Sequence, residues 1–149
     1  VSFSALASEA QAHGVVLEIE HRQILTQRMA GDLVWFEFAD ICEGPRGQND
    51  YIELATLFTT VFISGIPTLT SLKDDAARRF ISLVDEFYDR GVNLIVSAER
   101  SIPNLYQGRR LAFEFERTQS RLLEMQSEEY LAGAHLAVDQ DKKETNSKL

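Results

Sequence analysis

The feature that most limits how this chain can fold is an alternation of buried strands with amphipathic helix in its middle part. Residues 60–64 and 92–97 are short apolar runs, which is typical of strands buried on both faces. Between them, Asp74 caps a helix whose apolar residues recur at helical spacing, and Gly91 ends it. An earlier aromatic and β-branched run, residues 33–38, predicts a further strand. This order predicts parallel strands joined by right-handed crossovers, with helices on both faces of the sheet.

The segments around this unit predict the remaining elements. Residues 15–21 and 24–28 indicate two strands that form a small β-meander with residues 33–38. A helix capped by Asn49 or Asp50 is expected to run through Phe58. A last helix is expected from about Phe113 to Leu131. The fold class is therefore α/β: a short, mostly parallel sheet preceded by a small β-meander.

Composition bounds the domain count and the classes of partner. A length of 149 residues predicts one domain, which we divide into a leading segment (1–14), an α/β domain (15–131) and a charged tail (132–149) expected to be disordered. A net charge of −8 and a pI of about 4.9 argue against nucleic acid as a partner. No apolar run approaches the roughly 18–20 residues of a transmembrane segment. The start at Val1 rather than Met suggests a fragment or a processed chain.

Cysteine and histidine usage excludes two further classes of site. Cys42 is the only cysteine, so no internal disulfide can form, and the sequence holds neither a CxxC pair nor a His/Cys cluster that would bind zinc. The three histidines have no evident Ser or Cys partner, and a G-x-S-x-G nucleophile motif is absent. The sequence therefore predicts no metal site and no nucleophilic active site.

The sequence also lacks the motif that binds nucleotide in P-loop enzymes. That motif, GxxxxGK[ST], supplies backbone amides, a lysine and a hydroxyl to the phosphates and magnesium, and none of the eight glycines opens it. The Gly-rich loop at 44–47 contains Pro45, which has no amide to donate, so we interpret it as a turn. Asp85 and Glu86 lie within a helix and are interpreted as a solvated face, or as partners of Arg78 and Arg79. We expect the chain by itself to be inactive and to bind no cofactor.

Three long segments carry a resemblance to a known family. They are WFEFADICEGPRGQNDYIELA (35–55), DDAARRFISLVDEFYDRGVNLIVSAE (74–99) and FEFERTQSRLLEMQSEEYL (113–131). Together they resemble the C-terminal portion of the ZapE cell-division ATPases of proteobacteria, which are related to mitochondrial AFG-type ATPases. The resemblance covers residues 15–131.

The resemblance implies a larger protein with properties that these residues do not carry. Its P-loop, ATP and Mg would lie in an N-terminal nucleotide-binding part, which would be a partner of this region. It further implies association with FtsZ and other division proteins, and a cytoplasmic location that is peripheral at the inner membrane. Residues 92–97, followed by Pro103 and Gly108, are similar to a strand–helix–strand unit of the family's ATPase half. The fold is accordingly expected to resemble a degenerate half of a P-loop NTPase domain that has lost its acids.

Four arginines are candidates for a catalytic role in the full-length protein. In ring ATPases an arginine from outside the P-loop often stabilises charge on the transferred phosphate. The candidates are Arg78, Arg79, Arg117 and Arg121. The alternative for Arg117 and Arg121 is ion pairing within their own helix, with Glu124 and Glu128.

Three functions compete at this point. The chain is the accessory part of an ATPase, or a non-catalytic interaction module, or, much less favoured, a free-standing α/β enzyme. Trp35, Phe36 and Phe38 represent either a partner surface or core packing, and core packing is favoured because adjacent residues of a strand point to opposite faces.

Overall fold

The structure, a computed structural model, describes residues 2–7 and 10–126. The strands in chain order are β1 (Ala12–His13), β2 (Val16–Ile19), β3 (Arg22–Leu25), β4 (Arg28–Ala30), β5 (Leu33–Glu37), β6 (Thr60–Ile66) and β7 (Asn93–Ala98). The helices are α1 (Phe3–Leu6), α2 (Phe38–Cys42), α3 (Gln48–Leu57), α4 (Asp74–Asp89) and α5 (Ala112–Met125).

The main sheet has five strands in the order β1-β4-β5-β6-β7. β5, β6 and β7 are parallel, whereas β4 pairs antiparallel with both β1 and β5. This confirms the predicted α/β class and the mostly parallel sheet. β5 is the first of the three parallel strands, so the unit of strand, helix, strand, helix and strand spans residues 33–98.

The expected meander is divided between two sheets. β2 and β3 form a separate antiparallel hairpin whose two-residue turn, Glu20 and His21, has both φ angles positive, as primed hairpin turns require. The single strand expected at residues 24–28 is interrupted at Thr26, whose backbone N–H and hydroxyl both donate to the Val15 carbonyl. The prediction of one strand there was wrong, because this buried threonine ends the hairpin before the chain enters the main sheet.

Helices lie on both faces of the sheet but cover them unequally. Because β5, β6 and β7 follow one another in one direction, right-handed crossovers place their connecting helices on the same face. That face carries the larger core, to which α2, α3, α4 and α5 all contribute buried residues. The opposite face, with Phe62 and Ile95, is covered by Phe3 and Leu6 of α1.

The helix starts differ from those expected. Asp50 is the third residue of α3, not its cap, and its carboxylate accepts a hydrogen bond back from the N–H of Gly47, the N-cap residue. Asp74 is the first residue of α4, because a short 3₁₀ turn at Ser71–Lys73 runs directly into the helix. Gly91, with φ of 75°, follows α4 in the left-handed conformation expected of it.

The C-terminal part of the described chain lies along the last strand of the sheet. α5 ends at Met125, and the side-chain amide of Gln126 donates to the carbonyl of Leu94 in β7. The rest of the expected last helix, residues 127–131, and the expected disordered tail, 132–149, lie outside the described residues.

Candidate functional site

Two of the four candidate arginines are bound to one carboxylate. Arg121 Nη1 lies 2.6 Å from Asp85 Oδ1, and Arg117 Nη2 lies 3.3 Å from Asp85 Oδ2. The guanidinium of Arg121 also stacks over the Tyr88 ring, 4.6 Å from its centroid. The two arginines of α5 are therefore held by ion pairs and ring stacking against α4.

The pairing partners expected from sequence for these helices were wrong. Glu124 accepts the hydroxyl of Tyr88 at 2.9 Å and forms no ion pair within the described residues, and Glu128 lies outside them. Glu86 pairs with Arg90 and accepts from Gln48, while Asp85 pairs across to α5. The helices face each other at this point, so interhelical partners are closer than those one turn away along a helix.

The other two candidates line a pocket of about 300 Å³ between α4 and the loop that precedes α3. Arg78 is exposed, and its side chain makes no hydrogen bond or ion pair with any described residue. Arg79 is half-buried and donates to the Cys42 carbonyl at 3.3 Å. The structure thus brings Arg78 and Arg79 together and places Arg117 and Arg121 in a different cluster.

Arg46, which sequence reasoning did not select, lines the same pocket. Its Nε donates to the Asp40 carbonyl at 3.1 Å and its Nη2 to the Gln23 carbonyl at 2.9 Å. Its Nη1 is buried and has no partner among the described residues. The available signal was an arginine inside a Gly/Pro loop directly before a helix, in the segment interpreted only as a turn.

The loop that carries Arg46 is fixed by a buried carboxylate. Asp50 is 1% exposed, and Arg22 Nη2 lies 2.7 Å from each of its two oxygens. The third hydrogen bond to Asp50 comes from the Gly47 N–H at 2.9 Å. The hairpin, the loop and the start of α3 are therefore joined at one side chain, which holds the wall of the pocket in place.

Burial raises the pKa of three titratable groups next to the pocket. Burial raises the pKa of the Cys42 thiol far above its usual range, so Cys42 is not a nucleophile. Burial likewise raises the pKa of Tyr51, whose hydroxyl donates to the Ile41 carbonyl at 2.8 Å. Burial, with the nearby charge of Glu37, raises the pKa of Asp40 against the opposing effect of Arg46. The charged side chains that line the pocket are Arg46, Arg78, Arg79 and the exposed Asp75.

The carboxyl ends of the parallel strands are the usual ligand-binding edge of such a sheet. Here Trp35 Nε1 donates to Ser64 Oγ at 2.7 Å, and that hydroxyl donates to Glu37 Oε1 at 2.9 Å. Within residues 2–7 and 10–126, no three side chains of His, Cys, Asp or Glu converge as a metal site. The carboxylates at the ends of β5 and β7, Glu37 and Glu99, already accept hydrogen bonds from Ser64 and Thr68.

Two smaller expectations concern the aromatic run and the helices. Phe36 and Phe38 are fully buried, as expected for core packing, and Trp35 is half-buried beside Phe3. None of the helices in the described part of the chain is long and apolar enough to span a bilayer.

Comparison with known proteins places these features in a family. The model of a family described as AFG1-like ATPase matches residues 1–134. The cell division protein ZapE of Escherichia coli K12 is 49% identical over 133 residues, which cover 89% of this chain and 36% of that protein, and the protein of that name from strain O157:H7 gives the same values. Lactation elevated protein 1 homolog B of Danio rerio is 32% identical over 147 residues, covering 77% of this chain and 29% of that protein. The chain thus spans about a third of the length of the curated relatives it matches. No solved structure matches it.

Proposed function

The chain belongs to the AFG1-like ATPase family, and on that premise we propose that it is the accessory part of an ATPase, docked on the nucleotide-binding part of the same protein and completing its catalytic site. The observation that carries the proposal is the pair of adjacent arginines, Arg78 and Arg79, on the second turn of α4. Neither is neutralised by a carboxylate of the described residues. An arginine that already bonds a carboxylate must give it up before it can bind phosphate, and these two carry no such cost.

The role of the arginines is electrostatic. ATP and Mg are supplied by the full-length protein, and negative charge develops on the transferred phosphoryl group during hydrolysis. A guanidinium held in place before the reaction stabilises that charge without reorganising. Because α4 packs its apolar face against the sheet, Arg78 and Arg79 are presented on a helix that is fixed to the core.

Arg117 and Arg121 are the less favoured candidates for the same role. Their guanidinium groups would have to leave Asp85, and Arg121 would also leave the Tyr88 ring. We propose that they act mainly by holding α5 against α4, and that they affect turnover through the position of α4.

The names of the relatives bear on the cellular role. Because the Escherichia coli relatives are cell division proteins, we propose that the full-length protein acts in division, with FtsZ and other division proteins as partners. It would be cytoplasmic and peripheral at the inner membrane. A second candidate function is a non-catalytic interaction module, which is favoured by the exposure of two large apolar side chains, Leu72 at 94% and Phe113 at 83%.

The test uses the full-length protein and its ATPase turnover. We expect Arg78→Ala and Arg79→Ala to lower kcat by about a hundredfold or more, since the arginines would stabilise charge that develops in the transition state. Arg100→Ala is the matched control, because Arg100 is exposed and outside the pocket. Unchanged kcat in both variants would reject the accessory role. In that case Leu72→Ser and Phe113→Ser, which should leave turnover intact, would be tested for loss of partner binding.

A further inference from the structure

Three arginines, Arg46, Arg78 and Arg79, line the pocket between α4 and the loop before α3. None of the three forms an ion pair with a carboxylate of the described residues, although the chain has 23 acidic residues against 15 lysines and arginines. Among the described residues that line the pocket, Asp75, which is exposed, is the one carboxylate. The pocket therefore carries an excess of positive charge on a protein whose net charge is −8.

Arg46 is held beside the pocket by bonds to the backbone. Two of its three side-chain nitrogens donate to backbone carbonyls, and the third, Nη1, is buried and has no partner among residues 2–7 and 10–126. Buried donors in folded proteins nearly always have an acceptor, and a charged donor without one is costly. The two carbonyl bonds fix the Arg46 guanidinium beside the pocket, so its positive charge is already in place for an anion.

The donor set matches an oxyanion with several acceptor oxygens. Guanidinium groups bind phosphate through paired, nearly parallel hydrogen bonds, and three of them exceed what a single carboxylate can accept. The hydroxyl of Ser82, one turn after Arg78 and Arg79, also lines the pocket and makes no side-chain hydrogen bond within the described residues. The hydroxyl of Tyr51, another lining residue, is buried and donates to the Ile41 carbonyl at 2.8 Å.

We infer that this pocket is a phosphate-binding site in which Arg46, Arg78 and Arg79 hold a phosphoryl group without a metal ion. The inference deepens the proposed function and rests on it for one point, that the phosphoryl group belongs to a nucleotide held by the rest of the protein. The site itself follows from the described residues. Free inorganic phosphate has the same chemistry, so the experiment distinguishes the two sources.

The experiment titrates inorganic phosphate into the 149-residue chain in EDTA, with sodium chloride adjusted to keep ionic strength constant. The readout is the set of arginine Nε–Hε signals in two-dimensional NMR. We expect saturable shifts for Arg46, Arg78 and Arg79 but not for Arg100. Arg78→Gln, which removes no bond within the described protein, should raise Kd about tenfold, since a charge-assisted bond to the anion is lost. Arg100→Gln removes the same charge elsewhere and should leave Kd unchanged.

Three results would overturn the site: shifts that do not saturate, an equal weakening in Arg78→Gln and Arg100→Gln, or shifts of the same three signals by adenosine, which has no phosphate. Separate arms with adenosine and with ATP in EDTA identify the source. Competition of ATP with phosphate for the same three signals supports a nucleotide phosphate. If phosphate binds but ATP does not, the phosphate site is supported and its ligand is free phosphate.

The two proposals fail separately. If phosphate does not bind but Arg78→Ala still abolishes turnover of the full-length protein, the phosphate site is wrong and the accessory role stands. If phosphate binds and neither Arg78→Ala nor Arg79→Ala changes turnover, the accessory role is wrong and the site remains.

Discussion

Replacing Asp50 with asparagine should remove a large part of the stability of this fold. The carboxylate is buried and accepts three hydrogen bonds, two from Arg22 at 2.7 Å and one from the Gly47 N–H at 2.9 Å. Asparagine keeps the shape and one acceptor oxygen, but it loses the charge and cannot accept both bonds from Arg22. It also removes a negative charge from the first turn of α3, where the helix dipole favours it.

The magnitude follows from the exposure of the two partners. Breaking a fully buried ion pair costs about 3–5 kcal/mol, and exposed pairs are worth about 0–1 kcal/mol. The Asp50 side chain is 2% exposed and the Arg22 side chain 43%, so the pair lies between these limits. We expect a loss of about 2–3 kcal/mol from the free energy of unfolding, out of the ~5–15 kcal/mol typical of a domain. In urea this moves the midpoint down by about 1–2 M.

The assay is urea unfolding followed by the fluorescence of Trp35, the only tryptophan, with circular dichroism as the second probe. Asp89→Asn is the control, because it makes the same chemical change at a side chain that is 63% exposed. A double-mutant cycle with Arg22→Met should give a coupling of about 1–2 kcal/mol between Arg22 and Asp50. A midpoint shift in Asp50→Asn no larger than in Asp89→Asn, or strict additivity in the cycle, would refute the reasoning.

Three further predictions concern other parts of the chain. Because burial raises the pKa of the Cys42 thiol, the native protein should react with a thiol reagent at pH 8 only as fast as it unfolds; rapid reaction in the absence of urea would contradict this. Thr68→Val should raise the pKa of Glu99 in an NMR titration, because the Thr68 hydroxyl is the main group that lowers it. Since the pKa of Glu99 is lowered in the folded state, its contribution to stability is present at neutral pH and is lost as pH falls through that pKa. If Glu99 titrates identically in Thr68→Val and in the unsubstituted protein, the hydroxyl does not lower its pKa. In urea unfolding, Gly65→Ala should lower the free energy of unfolding more than Gly91→Ala. Both glycines adopt positive φ, which costs a residue with a side chain about 1–2 kcal/mol, but of the two only Gly65 would place its Cβ against the Glu37 carboxylate. Equal costs would show that this carboxylate moves freely.

The parallel unit could be predicted from sequence because its signals are local. α4 has seven buried apolar residues at helical spacing and ends before a glycine with φ of 75°, and β6 and β7 are nearly continuous apolar runs. The short elements were less accessible. α2 continues the aromatic run of β5, so the change from strand to helix at Phe38 leaves no local mark, and the two-residue β1 exists only through its pairing with β4.

The site was harder to predict because its contacts join distant residues. Arg22 and Asp50 are 28 positions apart, and Arg121 lies 36 positions from Asp85. The rule for residues one turn apart favoured Glu124 as a partner of Arg121, whereas helix packing brought Asp85 closer. Arg78 and Arg79 were identified from their charge and type alone. The position of the third arginine, Arg46, depends on the contacts of its loop with α2 and the β2–β3 hairpin, which no spacing rule predicts.

The contact between Gln126 and the Leu94 carbonyl has a consequence for self-association. β7 is the outermost parallel strand, and the unpaired backbone of an outer strand is a template on which another polypeptide can add. The side-chain amide of Gln126, the residue directly after α5, donates to the Leu94 carbonyl of β7. An incoming strand therefore finds one backbone acceptor fewer on β7. Loss of this amide would therefore make fibril-like stacking of copies easier without weakening the core of any one copy.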